Sequence, residues 1–159
     1  MSVLFLEDES KDIKGLQDQC AAYGVDTEVA RTFCEGARFL ARVDRVYDLV
    51  VIDIMLPWGE EVPNEIAVGV HSDRRAGLYL LQGMRENGTG AALLSILHRE
   101  LGIPFFYGRH LMTPVVMLSK IEELADECRK LDIVNFFNKV DYDRKSLLST
   151  ILRYAKHGR

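Results

Sequence analysis

Chemistry-bearing side chains stand at four separated places in the chain: Glu7-Asp8-Glu9, Asp53, Ser119 and Lys139. The first two and the last two each follow a short apolar run of the kind that forms a buried strand. If those runs lie side by side, carboxylates, a hydroxyl and an ammonium share one rim. Carboxylates gathered this way repel, so at least one takes a raised pKa and titrates as a coupled group. A hard divalent cation relieves that conflict. Mg²⁺ suits such a rim, because it accepts a few oxygen ligands, keeps several waters and needs no soft donor.

The elements that must hold these groups can be read from periodicity. Val3-Leu4-Phe5-Leu6 precedes the first acids. Within Tyr47 to Pro57, the run Leu49-Val50-Val51-Ile52 ends at Asp53; its unbroken apolar character is that of a strand covered on both faces. Val25 to Ala30, Val115 to Leu118 and Ile133 to Phe137 supply three more strands. Helical spacing links Ile13, Leu16, Cys20 and Tyr23, with Ser10 as the expected cap and Gly24 as the stop. Further helices are expected at about 35–43, burying Ala37, Leu40 and Phe39, and from about Arg74 to Asn87. Another carries a leucine stripe at 93–101, one follows Ser119, and the last begins near Asp141 or Asp143. Residues 58–76 lose all period and read as a long loop that accommodates a short hairpin, and 102–111 as an irregular aromatic-rich connection.

Strands alternating with helices imply an α/β doubly wound, five-stranded parallel sheet. Such sheets bind ligands beyond the carboxyl ends of their strands, where the strand order reverses. The polar residues named above all fall at those ends.

The 159 residues suffice for a single domain spanning 1–159. A net charge of −4 with scattered Lys and Arg speaks against a nucleic-acid surface. Cys20, Cys34 and Cys128 show neither a disulfide framework nor zinc spacing. There is no leader-like start and no apolar stretch long enough to span a membrane, so a cytoplasmic protein is expected.

At these residues the sequence resembles the receiver domain of two-component response regulators. Val3 to Glu9 is similar to that family's first strand with its acidic pair, and Asp48 to Pro57 to the segment bearing the phosphoacceptor. Thr113 to Ser119 looks like the strand ending in the switch hydroxyl, Lys139 falls where the family keeps a lysine, and Phe136 matches the switch aromatic. The resemblance covers the chain apart from two insertions, at about 58–76 and 89–112. It implies a flavodoxin-like receiver fold with strand order 2-1-3-4-5.

It further implies that Asp53 accepts a phosphoryl group in a Mg²⁺-dependent reaction, with Ser119 and Lys139 assisting. Asp8 and Asp53 would hold the ion directly, Glu7 through water and Met55 through its backbone carbonyl. The expected partners are a histidine kinase or a histidine phosphotransfer protein, and a downstream protein target that meets residues Lys120–Lys156. Asp53 phosphorylation would draw in the Ser119 hydroxyl and let Phe136 turn, a local charge change biasing a two-state element. Little chain follows the last helix, so the expected role is that of a single-domain receiver and not an enzyme. The alternative is a degenerate receiver serving as a phosphorylation-independent interaction module.

Three departures from the family pattern bear on that alternative. Val140 follows Lys139 where proline is usual, so a trans bond and a reshaped loop are expected. Lys120 stands where a small residue is common, and would cover the site or add a cation to it. The first insertion begins beside Asp53. Trp58, five residues past Asp53, is expected to report cation binding by fluorescence. His71, His98 and His110 lack ligand spacing and are read as surface residues. The leucine stripe reads as a covering face, with a homodimer or partner surface as the alternative. An aspartyl-phosphate phosphatase is disfavoured by Met55, which stands where a second acid is wanted, and a flavin carrier by the phosphate-repelling Glu7-Asp8-Glu9.

Overall fold

Five buried or half-buried segments pair in parallel, as their nearly continuous apolar runs require. The structure, a computed structural model, describes residues 1–59, 62, 75–141 and 143–157. In chain order the elements are β1 (Ser2–Leu6), α1 (Ser10–Ala22), β2 (Asp26–Ala30), α2 (Phe33–Ala41) and β3 (Leu49–Asp53). Then come α3 (Ala76–Met84), α4 (Gly88–Leu101) and β4 (Val115–Ser119). A 3-10 turn at Glu122–Leu124 leads into α5 (Ala125–Arg129), followed by β5 (Asn135–Asn138) and α6 (Arg144–His157). The sheet order is β2-β1-β3-β4-β5, all parallel. This is the doubly wound arrangement expected from the sequence.

Strand side chains alternate between two cores. Val3, Phe5, Leu49, Val51, Val116 and Leu118 pack against α1 and α6 through Ile13, Leu16, Leu147 and Ile151. Leu4, Leu6, Val50, Ile52, Val115 and Met117 pack against α2, α3, α4 and α5. The register sets Leu6 opposite Ile52, Asp53 opposite Leu118 and Ser119 opposite Asn138. Asp53 and Ser119 at the ends of β3 and β4, and Glu7 and Lys139 one residue past β1 and β5, therefore emerge at the same edge of the sheet.

The α3–α4 pair is held by glycine. A Cβ at Gly90 would lie 1.9 Å from the Tyr79 carbonyl oxygen, and one at Gly83 would lie 2.1 Å from Leu94 Cδ1. The helices thus touch along their backbones, as expected of small residues at a close crossing. The leucine stripe at Leu93, Leu94 and Leu97 covers the core, the first of the two readings above.

Several local expectations change. Glu9, not Ser10, holds the cap position of α1, and it makes no side-chain cap bond. Tyr23 is mostly exposed, because the helix ends a residue earlier, with Gly24 in the left-handed region at φ 74°. In α2 the cap is Thr32, whose hydroxyl accepts from the Glu35 N–H at 3.1 Å. The last strand lies at 135–138 instead of 133–137: the Val134 N–H donates to the Val115 carbonyl at 2.8 Å, and the paired ladder runs from Asn135 to Asn138. The hairpin envisaged in 58–76 and His71 lie outside the described residues.

Two histidines are not surface residues. His110 is buried, its Nε2 2.7 Å from the Leu40 carbonyl and its Nδ1 3.1 Å from Thr113 Oγ1. A carbonyl only accepts, so Nε2 carries the proton and Nδ1 accepts from the threonine hydroxyl. Arg109 donates to the Ala41 and Arg42 carbonyls at 2.9 and 2.5 Å. Segment 102–112 is thereby strapped over the C-terminal carbonyls of α2, where cations and N–H donors are favourable. His98 is half-buried, with Nδ1 2.6 Å from the Ile103 carbonyl and its ring on Phe105.

Candidate functional site

β1 delivers Glu7, whose backbone N–H still belongs to the sheet through the Ala30 carbonyl at 3.0 Å. Its side chain is nearly sealed from solvent, as is that of Asp53. Lys139, one residue past β5, reaches 2.9 Å from Glu7 Oε2 and 3.0 Å from Asp53 Oδ2. Its backbone is anchored to β4, with the Lys139 N–H donating to the Ser119 carbonyl at 2.9 Å. The second Asp53 oxygen accepts from the Met55 N–H at 3.0 Å, which fixes the carboxylate against its own turn. Asp8 is exposed beside them, and Glu7, Asp8 and Asp53 each offer an oxygen within 4.8 Å of the others.

Burial first, and then the Asp53 charge, push the Glu7 carboxyl from 4.5 up to about 8, against the pull of Lys139. For Lys139 burial works toward deprotonation, but Glu7 and Asp53 outweigh it and hold its ammonium above the usual lysine range. An acid that retains a proton beside a charged lysine marks a site still short of positive charge. The oxygen donors and that deficit fit a hard divalent cation such as Mg²⁺, with Glu7, Asp8 and Asp53 as the carboxylates available to it. A cavity of about 160 Å³ opens here, lined by Asp8, Glu9, Asp53, Met55, Lys120 and Lys139.

Ser119 is fully buried behind the lining residues, its Oγ accepting from the Ile121 N–H at 2.8 Å. It caps the bend before the 3-10 turn, not a helix starting at Lys120. Phe136 is half-buried against the core on the α2–α5 face. The structure therefore joins Glu7, Asp8, Asp53 and Lys139 directly, sets Met55 in the same cavity, and leaves Ser119 and Phe136 one layer away. No cis peptide occurs among the described residues, so the Lys139–Val140 bond is trans, as expected. Trp58 lies in the core, its ring 4.8 Å from Phe33 and 5.9 Å from Tyr79, and does not line the cavity.

The contact between Glu9 and Lys120, and the role of Gly77, escaped sequence reading. Glu9 and Lys120 meet at the cavity mouth, Oε1 to Nζ 3.8 Å, while Glu9 Oε2 lies 3.5 Å from Lys139 Nζ. Gly77, the second residue of α3, sits against the end of β3, and its N–H donates to the Ile54 carbonyl at 2.9 Å. An isolated glycine after a loop carries no signal that would have marked it.

No family model matches the chain, and no curated protein matches it significantly. Solved structures do. The receiver domain of a Francisella response regulator superposes with a TM-score of 0.59 at 22% identity, over 98% of this chain and 97% of the other. A CheY-like response regulator receiver domain from Methanospirillum hungatei gives 0.61 at 15%, over 99% and 94%. The fold is that of a receiver domain. A third receiver domain, from a sensor histidine kinase of Pseudomonas aeruginosa, gives 0.58 at 13% over 98% and 97%, and is described with magnesium coordinated in its active-site cleft. At such identities the likeness concerns the fold, and the residues at the rim must carry any statement about chemistry.

Proposed function

We propose that this chain is a phosphorylatable response regulator receiver, a single domain with insertions at about 58–76 and 89–112. Asp53 takes a phosphoryl group from a histidine kinase or histidine phosphotransfer protein. The observation that supports this best is the Lys139 ammonium set 3.0 Å from Asp53 Oδ2, with Glu7 and Asp8 beside it. Phosphoryl transfer depends chiefly on positioning and charge neutralisation. Asp53 Oδ2 forms the new bond to phosphorus, and the donor's imidazole nitrogen leaves with the electron pair of the broken P–N bond. Lys139 moves its contact from the carboxylate to the arriving phosphoryl oxygens. Mg²⁺, held by Glu7, Asp8, Asp53 and the Met55 carbonyl, would supply further neutralising charge.

Ser119 then serves as the switch. Its oxygen is anchored by the Ile121 amide, so the hydroxyl proton is the group it can offer to a phosphoryl oxygen. Drawing it forward moves the bend at 119–121 and frees space near Phe136. Residues Lys120–Lys156 would present the altered surface to a downstream protein. Coupling of this type is worth about 1–3 kcal/mol, enough to reweight a binding face without refolding it.

A second reading, an interaction module that keeps the fold without phosphorylation, draws on Glu9 and Lys120 meeting across the cavity mouth. Incubation with acetyl phosphate and Mg²⁺, followed by intact mass, separates the two. Gain of one HPO₃ by the wild type and none by Asp53→Asn is expected. No gain in either leaves the module reading in place. Among the described residues no helix is long and apolar enough to cross a membrane.

A further inference from the structure

Glu9 is left out of the carboxylate trio, yet it lies in the same cavity. Its backbone N–H donates to Glu7 Oε1 at 3.2 Å, which folds the loop so that the carboxylate is set between two ammoniums. One oxygen lies 3.5 Å from Lys139 Nζ and the other 3.8 Å from Lys120 Nζ. Lys139 already holds two sealed carboxylates at 2.9 and 3.0 Å, so its link to Glu9 is the longest of three. Glu9 and Lys120 are about half exposed, at 48% and 55%, and a pair so placed is weak and readily exchanged. An anion bridging two lysines beside Asp53 occupies the position that an incoming phosphoryl dianion needs.

We propose that Glu9 is an intramolecular competitor for phosphoryl binding and that Lys120 is a second phosphoryl-binding cation beside Lys139. The arriving group displaces the Glu9 carboxylate and takes over its contacts with both lysines. This rests on the reading of Asp53 as the phosphoacceptor. With acetyl phosphate the bond formed is Asp53 Oδ to phosphorus. The bond broken is the donor's P–O bond to its acyl group, and acetate leaves with the electron pair. Glu9 and Lys120 change partners only. Glu9 thus slows labelling most for the most anionic donors, and Lys120 lowers the donor concentration needed.

Labelling time courses on the full chain, followed by intact mass, test this with acetyl phosphate and with phosphoramidate, which carries less negative charge. The variants are Glu9→Gln, Lys120→Gln, Lys120→Arg and Asp53→Asn, each melted thermally to check folding. Glu9→Gln is expected to label roughly fivefold faster with acetyl phosphate, the worth of an exposed charge contact. A smaller gain is expected with phosphoramidate. Lys120→Gln is expected to be slower and Lys120→Arg to recover, with both effects in the half-saturating donor concentration and not in the maximal rate. Should Glu9→Gln melt early, Lys120→Gln against Lys120→Arg carries the test. Equal rates in wild type, Glu9→Gln and Lys120→Gln, with Asp53 labelled in each, overturn the competitor and leave the phosphoacceptor reading standing. Labelling of Glu9→Gln but not of the wild type supports the competitor in its strongest form, and no labelling in any variant overturns both.

Discussion

A side-chain carbon at Gly77 would stand 2.0 Å from the carbonyl oxygen of Asp53. Backbone meets backbone there, and only glycine allows it. Gly77→Ala must push α3 off the end of β3, an overpacking change that costs about 1–3 kcal/mol. Chemical denaturation will show the loss. The same variant is expected to label more slowly at Asp53, because the displaced strand end carries the carboxylate.

The Glu7 carboxyl sits near 8 in the folded chain, against 4.5 ordinarily, chiefly through burial and then the charge of Asp53. The folded state therefore keeps a proton that the unfolded state releases, so the Glu7 contribution to stability is complete below pH 4.5 and lost as pH rises through about 8. In metal-free buffer the melting temperature of the wild type is expected to fall relative to that of Glu7→Gln across this window. Mg²⁺ should oppose the fall. Parallel pH profiles of the two proteins, with and without the ion, check both statements.

Lys139→Met removes the cation from between two sealed carboxylates. Breaking a buried pair in this way costs about 3 kcal/mol at high pH. The loss should shrink as pH falls below about 8, where Glu7 carries a proton. Labelling of Asp53 is expected to slow roughly a hundredfold, the scale for removing one charge-stabilising donor. Denaturation midpoints at two pH values and a labelling time course test the variant.

His110→Ala strands the Leu40 carbonyl and the Thr113 hydroxyl and leaves a hole beside Phe106. A loss of about 2–4 kcal/mol is expected. Burial, with Arg109 and Arg85 nearby, holds the imidazole below its usual range despite the Leu40 contact. The His110 contribution is thus present above pH 6.5 and lost as pH falls below it. The gap in melting temperature between wild type and variant should narrow in acid.

Strands were legible because both faces of a parallel sheet demand apolar residues, and Leu49 to Ile52 supply them without a break. The rim followed, since Glu7, Asp53, Ser119 and Lys139 are the polar residues that end such runs or follow them. The misread positions share a different cause. Ile133 and Val134 satisfy a strand pattern, but only the Val134 N–H reaches β4, at the Val115 carbonyl 2.8 Å away, and the paired ladder begins at Asn135. Histidine 110 was unreadable because its partner carbonyl lies 70 residues away and spacing reports only neighbours. Arg85 was equally silent: it donates to the carbonyls of His110, Thr113, Leu131 and Asp132, all contacts made by the folded chain alone. Glu9 was seen as an acid, but its place between two lysines is a property of the assembled rim.

With Gly90 pressed onto the Tyr79 carbonyl and the Leu94 side chain seated on Gly83, α3 and α4 are interlocked and cannot slide past one another. Any displacement of one would carry the other with it, as in a lever. Its fulcrum is the seat of Gly77 on Asp53, and its far arm carries Leu101 and, beyond it, the stacked rings of Phe105 and Tyr107. A shift of a fraction of an ångström at the end of β3, which tight packing does not absorb, would thereby be passed on to the aromatic segment.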